Sequence, residues 1–285
     1  MGGRRTDRVL ATRLEHADGA PDPAAGRPGR RPETVLVEEP LELRVDDVLM
    51  ATTMRTPGHD FELAAGWCLS EGLLGTADDL TRITDIRYCA TGSAVDTGFN
   101  TVSVTTAGGA SGGGEDRTPR LGTVSSSCGV CGTDSVQALV ARLEPLPLDT
   151  TVHAGVLVGA PDAVVDQQEL FAATGGSHAA AALDAAGSVL VVREDIGRHN
   201  AADKVIGRLL LDGRLPVPSA TLWISGRASF EMVQKAWSAG FTALVSVSAP
   251  SSLAIATAER AGLVLAGFTR SGRTTVYSGL ERVVG

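Results

Sequence analysis

The sequence has few cysteines and lacks any long apolar segment. Four of its 285 residues are cysteine, too few for a disulfide framework in a chain of this length, which favours a reducing cytoplasm. No apolar run approaches the ~20 residues that a membrane-spanning helix needs. Arg4, Arg5 and Arg8 near the start have no apolar core behind them, so the N-terminus does not have the form of a secretory signal. We therefore expect a cytoplasmic protein with no membrane partner.

Positive charge is also in deficit. The formal net charge is -8, which argues against a general nucleic-acid or membrane-surface binder but is compatible with a local basic pocket. The Gly-rich stretch 107–114 lacks the Gly-Lys-Ser/Thr ending of a phosphate loop, so we interpret it as a surface insertion.

A pair of cysteines is the clearest chemical feature that is present. Cys128 and Cys131 form a Cys-x-x-Cys pair in the small, hydroxyl-rich segment Ser125–Ser135, and a glycine follows each of them. Thr133–Ser135 predicts a helix N-cap just beyond the pair. A helix N-terminus favours the thiolate form of a nearby cysteine, so the pair is the best candidate nucleophile in the chain.

Zinc binding and thiol–disulfide exchange are alternative functions for this pair. Structural zinc usually needs two such pairs, and no second pair occurs. A zinc deaminase needs a His-x-Glu before a Pro-Cys-x-x-Cys, but no His-x-Glu occurs and Ser127 precedes Cys128. A thiol–disulfide oxidoreductase would more naturally carry its Cys-x-x-Cys at the start of a βαβ unit. Sulfur or redox chemistry is favoured over zinc. Cys68, on the apolar face of a predicted helix, is expected to be a buried structural thiol, and Cys89 is assigned no role.

Three regions are predicted along the chain. Residues 1–33 are rich in Arg, Gly, Pro and Ala and are expected to be a disordered tail. Residues 34–120 form a β-rich N-terminal subdomain that includes the 107–114 insertion, and residues 121–285 form an α/β domain. Helices are predicted at His59–Leu73, Ala163–Ala173, Ala201–Leu211, Ser229–Ala239 and Ser252–Ala261. Strands alternate with the later helices, which indicates an α/β fold with a mixed sheet flanked by helices.

Polar loops follow several of the predicted strands. Binding sites in such sheets gather at the C-terminal ends of strands, where Arg193–Asn200, Ser225–Arg227 and Phe268–Arg273 lie. Arg193–Asn200 is equally consistent with an ion-paired helix cap and with a site, and the loop Thr174–His178 is a weaker candidate. Arg270 and Arg273 can grip a diphosphate and Phe268 can stack on a base, although a solvated basic turn explains the composition of this segment nearly as well. Together these loops suggest a large anionic ligand with phosphates.

From about Glu38 to the C-terminus, the sequence resembles the formate dehydrogenase accessory sulfurtransferase family (the FdhD type). Seven ordered motifs carry the resemblance: Glu38–Leu41, Thr53–Asp60, Ser127–Gly132, Thr174–His178, Glu194–Ala201, Ser225–Arg227 and Gly267–Arg270. The arginine-rich tail and the Gly-rich insertion are not part of it.

This resemblance implies a cargo for the cysteines. Members of the family take sulfur from a cysteine desulfurase as a persulfide and transfer it to the molybdenum bis(molybdopterin guanine dinucleotide) cofactor before its insertion into formate dehydrogenase. By motif match, Cys128 would carry the persulfide and Cys131 would assist or share it. The segment Phe268, Thr269, Arg270, Ser271, Gly272 and Arg273 would bind the guanine dinucleotide. The resemblance also implies a cytidine deaminase-like fold without zinc chemistry, and a homodimer. The alternative is a non-catalytic chaperone that binds the cofactor without moving sulfur.

Overall fold

The computed structural model describes residues 4–12, 30–74, 83–89, 99–107, 123–124, 140–141, 143–217 and 219–285. The strands, numbered here in chain order, are β1 Thr6–Thr12, β2 Arg30–Leu36, β3 Glu39–Val45, β4 Val48–Arg55, β5 Ile83–Tyr88, β6 Thr101–Thr106, β7 Thr123–Val124, β8 Val152–His153, β9 His178–Leu183, β10 Val189–Asp195, β11 Thr221–Ile224, β12 Ala243–Ser246, β13 Val264–Arg270, β14 Arg273–Ser278 and β15 Val283–Val284. The α-helices are α1 Asp60–Ser70, α2 Ala154–Val164, α3 Glu169–Thr174, α4 Arg198–Leu211, α5 Phe230–Ser238 and α6 Ser252–Ala261.

A six-stranded mixed sheet organises the second half of the chain, in the order β10-β9-β11-β12-β13-β14. β11, β12 and β13 are parallel, whereas β9, β10 and β14 each run antiparallel to their neighbours. Buried residues of β9 alternate between two hydrophobic clusters, one on each face of the sheet, as the two-residue period of a strand requires. The prediction of an α/β fold with a mixed sheet flanked by helices is confirmed, while a cytidine deaminase-like fold stays a prediction.

A five-stranded sheet, in the order β5-β6-β3-β4-β7, organises the first half of the chain. Its buried leucines and valines belong to the same hydrophobic cluster as the buried residues of α4 and α5. The two sheets are joined by one core, so a boundary near residue 120 does not separate two hydrophobic cores.

Two glycines set the contact between α1 and α4. A β-carbon placed on Gly66 would lie 2.0 Å from the carbonyl oxygen of Asp203, and one placed on Gly207 would lie 1.7 Å from the carbonyl oxygen of Glu62. Side chains larger than hydrogen would therefore force the helices apart. This close approach fixes α4, whose first turn lies at the candidate site, against the β-rich half of the chain.

One helix prediction is wrong, one strand was missed, and the described parts of the predicted disordered tail form strands. Within the supposed disordered tail, β1 pairs antiparallel with β2 from Thr6 opposite Leu36 to Thr12 opposite Arg30. The single helix predicted at Ala163–Ala173 is replaced by α2 and α3, with a one-turn 3-10 helix at Val165–Gln167 between them. Glycines and Pro161 concealed α2 in the sequence. The strand β9 was missed because its core is four consecutive alanines, a residue with little strand preference.

Candidate functional site

The carboxyl ends of the parallel strands form one edge of the six-stranded sheet, called here the carboxyl edge. β9 runs antiparallel to β11, and the amide of Ser225 donates to the carbonyl of Ala179 at 2.9 Å, so His178 at the start of β9 lies at this edge. Asp195, at the end of β10, pairs with His178. The loops after β11, β12 and β13 reach the same edge, as the topology predicts.

A buried ion pair anchors the end of β10. Asp195 and Lys204 are almost fully buried, and Nζ of Lys204 lies 2.6 Å from Oδ2 of Asp195. Oδ1 of the same carboxylate accepts hydrogen bonds from the amide of Gly197 at 2.8 Å and from Nδ2 of Asn200 at 3.0 Å. A buried charge requires this degree of compensation, so Asp195 is a structural anchor for the first turn of α4.

The same anchor holds the end of β4. The amide of Thr56 donates to Asp195 at 3.1 Å, and Lys204 donates to the carbonyl of Thr56 at 2.9 Å. Asn200 donates to the carbonyl of Met54 at 2.8 Å. Two sequence motifs that lie far apart in the chain therefore meet in one hydrogen-bonded junction.

Arg55 is the centre of a second buried network. Its guanidinium donates from Nε and Nη2 to both oxygens of Asp60, at 3.1 and 3.0 Å, and from Nη1 to Glu39 at 3.1 Å. The hydroxyl of Tyr88 donates to Asp60 at 3.3 Å. Burial, the charge of Asp60 and this hydrogen bond raise the pKa of Tyr88 to about 12. The network fixes the turn between β4 and α1.

The first residues of the run Arg193–Asn200 are also structural. Arg193 donates to Glu62 from Nε at 2.5 Å and from Nη2 at 2.9 Å. Glu194 accepts from the amides of Leu170 and Phe171 at 2.8 and 2.7 Å, and from the hydroxyl of Ser177 at 2.7 Å. Glu194 therefore caps α3 and fixes the loop that leads into His178. The ion-paired interpretation applies to this part of the run.

Unlike Arg193 and Glu194, Arg198 and His178 lie near other basic side chains at the carboxyl edge. Burial lowers the pKa of Arg198, and the charge of Arg227 lowers it further, against an opposite effect of Glu231. Burial also lowers the pKa of His178, and Arg198 and His199 lower it further, against an opposite effect of Asp195. Nδ1 of His178 lies 3.3 Å from the hydroxyl of Ser225.

Gly226 lets these side chains approach the loop after β11. A β-carbon at this position would meet Cδ of Arg198 at 3.4 Å and the ring of His178 at 3.7 Å. The carbonyl of Gly226 accepts a hydrogen bond from the hydroxyl of Ser246 at 2.6 Å, which fixes the loop against β12. Ser225–Arg227 thus contributes both a fixed backbone and an exposed cation.

The predicted segment Phe268–Arg273 forms the hairpin between β13 and β14. Arg270 pairs directly with Arg273 across Ser271 and Gly272, which both have positive φ, so this is a two-residue turn of the I′ class. Phe268 also has positive φ, at a register shift in β13, and its side chain is 45% exposed. Its amide donates to the carbonyl of Ser248 at 3.1 Å, which places Phe268 at the carboxyl edge. Thr269 is buried, and its hydroxyl lies 2.6 Å from that of Thr274.

Cys128 and Cys131 lie outside the described residues, as do residues 108–114 of the Gly-rich insertion. The described chain before the cysteines ends at β7, which pairs parallel with β4 at Thr52 and Thr53. Cys68 is 1% exposed and packs in the core, so the prediction of a buried structural thiol is confirmed. Cys89 is half-buried.

Several residues of the junction and of the Arg55 network were not singled out by sequence reasoning. Lys204 lies among the apolar positions of α4, and a lysine in that pattern is the signal that could have indicated a buried ion pair. Arg55 and Asp60 lie five residues apart around Pro57 and Gly58, a spacing that carries no comparable signal.

The described part of the chain contains neither a membrane-spanning helix nor a cluster of metal ligands. No helix there is long and apolar enough to cross a membrane. No group of three or more His, Cys, Asp or Glu residues in it is arranged to hold a metal ion.

Comparison with known proteins gives consistent matches over most of the chain. The model of the FdhD/NarQ family matches residues 36–284. A protein of Mycolicibacterium paratuberculosis named sulfur carrier protein FdhD is 47% identical over 91% of this chain and 95% of its own length. A Streptomyces avermitilis protein of the same name is 44% identical over 99% of this chain and 96% of its own. A crystal structure assigned to a formate dehydrogenase accessory protein from Desulfotalea psychrophila has a similar fold, with a TM-score of 0.72 and 23% identity over 99% of this chain and all of that one.

Proposed function

Because the chain belongs to the FdhD/NarQ family, we propose that it is a sulfur carrier for the maturation of formate dehydrogenase. It accepts sulfur from a cysteine desulfurase as a persulfide on Cys128. It then transfers this sulfur to molybdenum bis(molybdopterin guanine dinucleotide), its cargo, before that cofactor enters formate dehydrogenase. The protein acts in the cytoplasm as a homodimer.

The observation that carries this proposal is the identity of 47% over 91% of the chain with a relative named as a sulfur carrier. That identity is spread over nearly the whole chain, and the sequence holds one Cys-x-x-Cys pair, at Cys128 and Cys131. A carrier of sulfane sulfur needs a nucleophilic thiol, and this pair is the best candidate.

The position of β7, the last strand described before the cysteines, is compatible with delivery of sulfur toward the carboxyl edge. β7 ends at Val124 beside Thr53 of β4, and the hydroxyl of Thr53 donates to the side chain of Asn200 at 3.3 Å. The part of the chain described before the cysteines therefore ends next to the junction that holds the first turn of α4.

The first step is a balanced sulfur transfer. The thiolate of Cys128 attacks the outer sulfur of the desulfurase persulfide, a new S–S bond forms, and the desulfurase cysteine leaves as its thiolate. Cys131 has two roles open to it. It can accept the sulfur from Cys128 by the same reaction, or its thiolate can attack the inner sulfur of the Cys128 persulfide. In the second case a Cys128–Cys131 disulfide forms, the outer sulfur leaves as hydrosulfide, and a thiol reductant must later reduce the disulfide.

The carboxyl edge supports cargo binding. The exposed ring of Phe268 is suited to stack on guanine, and Arg270 and Arg273 stand opposite each other at the tip of the same hairpin. Ser271 and Gly272 form its turn and Thr269 ties its two strands together. We assign the guanine dinucleotide to Phe268–Arg273.

A mass measurement tests the sulfur-carrier assignment. The purified chain is incubated with a cysteine desulfurase and cysteine, and the mass of the peptide that contains Cys128 is measured without reduction. We expect an added sulfur atom on this peptide in the wild type and none on it in Cys128→Ala. Cys89→Ala, which removes a half-buried thiol, is the matched control and should keep the added sulfur.

A second readout separates the carrier from a chaperone. Cys128→Ala should abolish sulfuration of the cofactor and leave the binding of guanine nucleotide unchanged. If Cys128→Ala still sulfurates the cofactor, the assignment of Cys128 is wrong. If the wild type binds the cofactor but never acquires a persulfide, the protein is a chaperone that moves no sulfur.

A further inference from the structure

The N-terminal ribbon, formed by β1 and β2, is a two-stranded sheet with an open edge. Among the described residues, no third strand pairs with either of its strands. The ribbon joins the rest of the fold at its base, where the amide of Val37 donates to the carbonyl of Arg5 at 3.0 Å and a β-carbon on Gly176 would lie 3.6 Å from Leu36. An isolated pair of strands is marginally stable in water, so an added strand would stabilise the ribbon.

The register shows which backbone groups of β1 face outward. In an antiparallel pair, successive residues point their N–H and C=O groups alternately toward the partner strand and away from it. Because Arg5 accepts from Val37, this alternation directs the backbone of Asp7, Val9 and Ala11 toward β2. The residues whose backbone groups point away from β2 are Thr6, Arg8, Leu10 and Thr12.

Two observations agree with this assignment. Pro32 lies opposite Leu10, and a proline fits a strand where its missing N–H would point away from the partner strand. The amide of Arg8 donates to the side chain of its neighbour Asp7 at 2.7 Å in an exposed contact. Pro32 also interrupts the outer edge of β2, so the outer edge of β1 is the one that offers donors to an added strand.

One face of the ribbon is both apolar and basic. Residues directly opposite each other in an antiparallel pair share a face, so Arg8 and Leu10 lie on the same face as Arg30 and Pro32. Leu10 is 61% exposed, and both arginines are exposed. Within the two described strands this face holds no carboxylate, since its other residues are three threonines and Leu36. In a protein of net charge -8, such a surface favours acidic partners.

We propose that the outer edge of β1 binds an extended acidic segment of a partner protein as a third, antiparallel strand. Backbone hydrogen bonds to the outward positions of β1 hold the segment. Its acidic side chains, at alternate positions, lie on the face of Arg8 and pair with it. The intervening side chains lie on the other face, beside the partly exposed Val9 and Val35.

A second copy of the chain is a poorer partner than an acidic segment. Antiparallel pairing of β1 with itself would place two Arg8 side chains on one face of the joined sheet, and like charges on neighbouring strands are destabilising. The inference is also independent of the sulfur-carrier proposal, because the family match begins at residue 36, the last residue of β2.

Fluorescence anisotropy of labelled, end-capped peptides with the full chain tests the acidic preference. A peptide of four Glu-Val repeats should bind about tenfold or more tightly than one of four Lys-Val repeats, because only the first is attracted by the basic face. Arg8→Glu should weaken binding of the Glu-Val peptide and strengthen binding of the Lys-Val peptide. Arg260→Glu makes the same change of charge at an exposed position of α6 and should leave both affinities as in the wild type.

Two further changes test the addition of a strand. In the antiparallel arrangement the glutamate amides of the peptide face β1 and its valine amides face solvent, so N-methylation of the glutamate amides should abolish binding and N-methylation of the valine amides should not. Leu10→Pro removes an outward amide opposite Pro32 and leaves the hydrogen bonds of the ribbon in place. It should weaken peptide binding by about tenfold or more. The methylated peptides are compared on the unaltered protein, so their result does not depend on how Leu10→Pro folds.

Each contrary result counts against a specific part of the proposal. If the wild type does not bind the Glu-Val peptide, or binds both methylated peptides equally, strand addition at β1 is wrong. Equal affinity for the Glu-Val and Lys-Val peptides would overturn the acidic chemistry of the partner. Self-association of the wild type that Leu10→Pro abolishes, measured by sedimentation velocity, would assign the edge to a second copy. Absence of a persulfide on Cys128 would overturn the sulfur-carrier proposal and leave peptide binding unaffected.

Discussion

Lys204 and Asp195 form a buried ion pair that joins the two halves of the fold. Nζ of Lys204 lies 2.6 Å from Oδ2 of Asp195 and 2.9 Å from the carbonyl oxygen of Thr56. Through these contacts, the first turn of α4 is held against the end of β4. The position of the cation-bearing residues at the carboxyl edge depends on this junction.

We expect Lys204→Met to lower the free energy of unfolding by about 3–5 kcal/mol, because it leaves the carboxylate of Asp195 buried without its counter-charge. Urea unfolding measures this change. The control is Arg87→Met, which breaks only exposed ion pairs, with Asp85 at 3.2 Å and with Asp47 at 3.4 Å, and should cost about 1 kcal/mol or less. If both variants lose the same free energy of unfolding, the buried Lys204–Asp195 pair is no more important for stability than an exposed pair.

The crossing of α1 and α4 gives a second stability prediction. Gly66→Ala would place a β-carbon 2.0 Å from the carbonyl oxygen of Asp203, and backbone at such a distance must move. We expect a loss of about 1–3 kcal/mol or more in urea unfolding, as for other overpacked sites.

Gly159→Ala is the matched control for this prediction. Gly159 is also helical, in α2, but a β-carbon there would meet nothing within 4 Å. Alanine is the better helix former, so this variant should gain about 0.5–1 kcal/mol. If Gly66→Ala is stabilised as well, α1 and α4 are not in close contact at this point.

The sequence was informative where a local pattern decides the structure. The alternating apolar residues of β3 and β4 and the one-sided apolar face of α4 appear in the chain as they do in the fold. In contrast, β9 is a strand because its alanines are buried between two neighbouring strands of the sheet. That burial depends on tertiary contacts, which the local sequence does not show. β1 was missed for a similar cause, since its partner β2 lies 18 residues or more along the chain.

The candidate site also has some features that the sequence predicts and others that only the fold reveals. Strand ends with polar loops are visible in the sequence, so the position of Ser225–Arg227 and Phe268–Arg273 at strand ends was predicted, while their role in binding stays a prediction. The roles within Arg193–Asn200 were not separable, because the sequence does not show that Arg193 meets Glu62 or that Asp195 meets Lys204. Those partners lie 131 and 9 residues away, and contacts at such separations are made by the fold.

Stability should also depend on the ionisation of Glu62. Burial raises its pKa, but hydrogen bonds and charge from Arg193 and His59 outweigh burial and lower it from 4.5 to about 2. A carboxyl group whose pKa is lower in the folded state stabilises the fold above its unfolded pKa. That contribution is lost as the pH falls from about 4.5 through about 2.

We therefore expect Glu62→Gln to be less stable than the wild type near pH 7, and the difference to shrink as the pH falls toward 2. Urea unfolding at a series of pH values measures it. Glu259→Gln, at an exposed position of α6, serves as the control variant. A difference for Glu62→Gln that stays constant down to about pH 2 would contradict the assigned role of the Arg193 and His59 contacts.

Phe268 gives the last prediction, which concerns the base-binding end of the carboxyl edge. Its ring is 45% exposed although its backbone has a φ of 52°, a conformation that disfavours bulky residues unless something maintains it. If the ring stacks on guanine, Phe268→Ala should weaken GDP binding by about 5-fold to 100-fold, the range of one aromatic–base stack. Competition by pyrophosphate should be little changed, since pyrophosphate has no base to stack. Phe171→Ala, which removes a ring of similar exposure on α3, is the matched control. Equal weakening of GDP and pyrophosphate by Phe268→Ala would mean that the substitution disturbs the hairpin as a whole, and the base would then have to bind elsewhere.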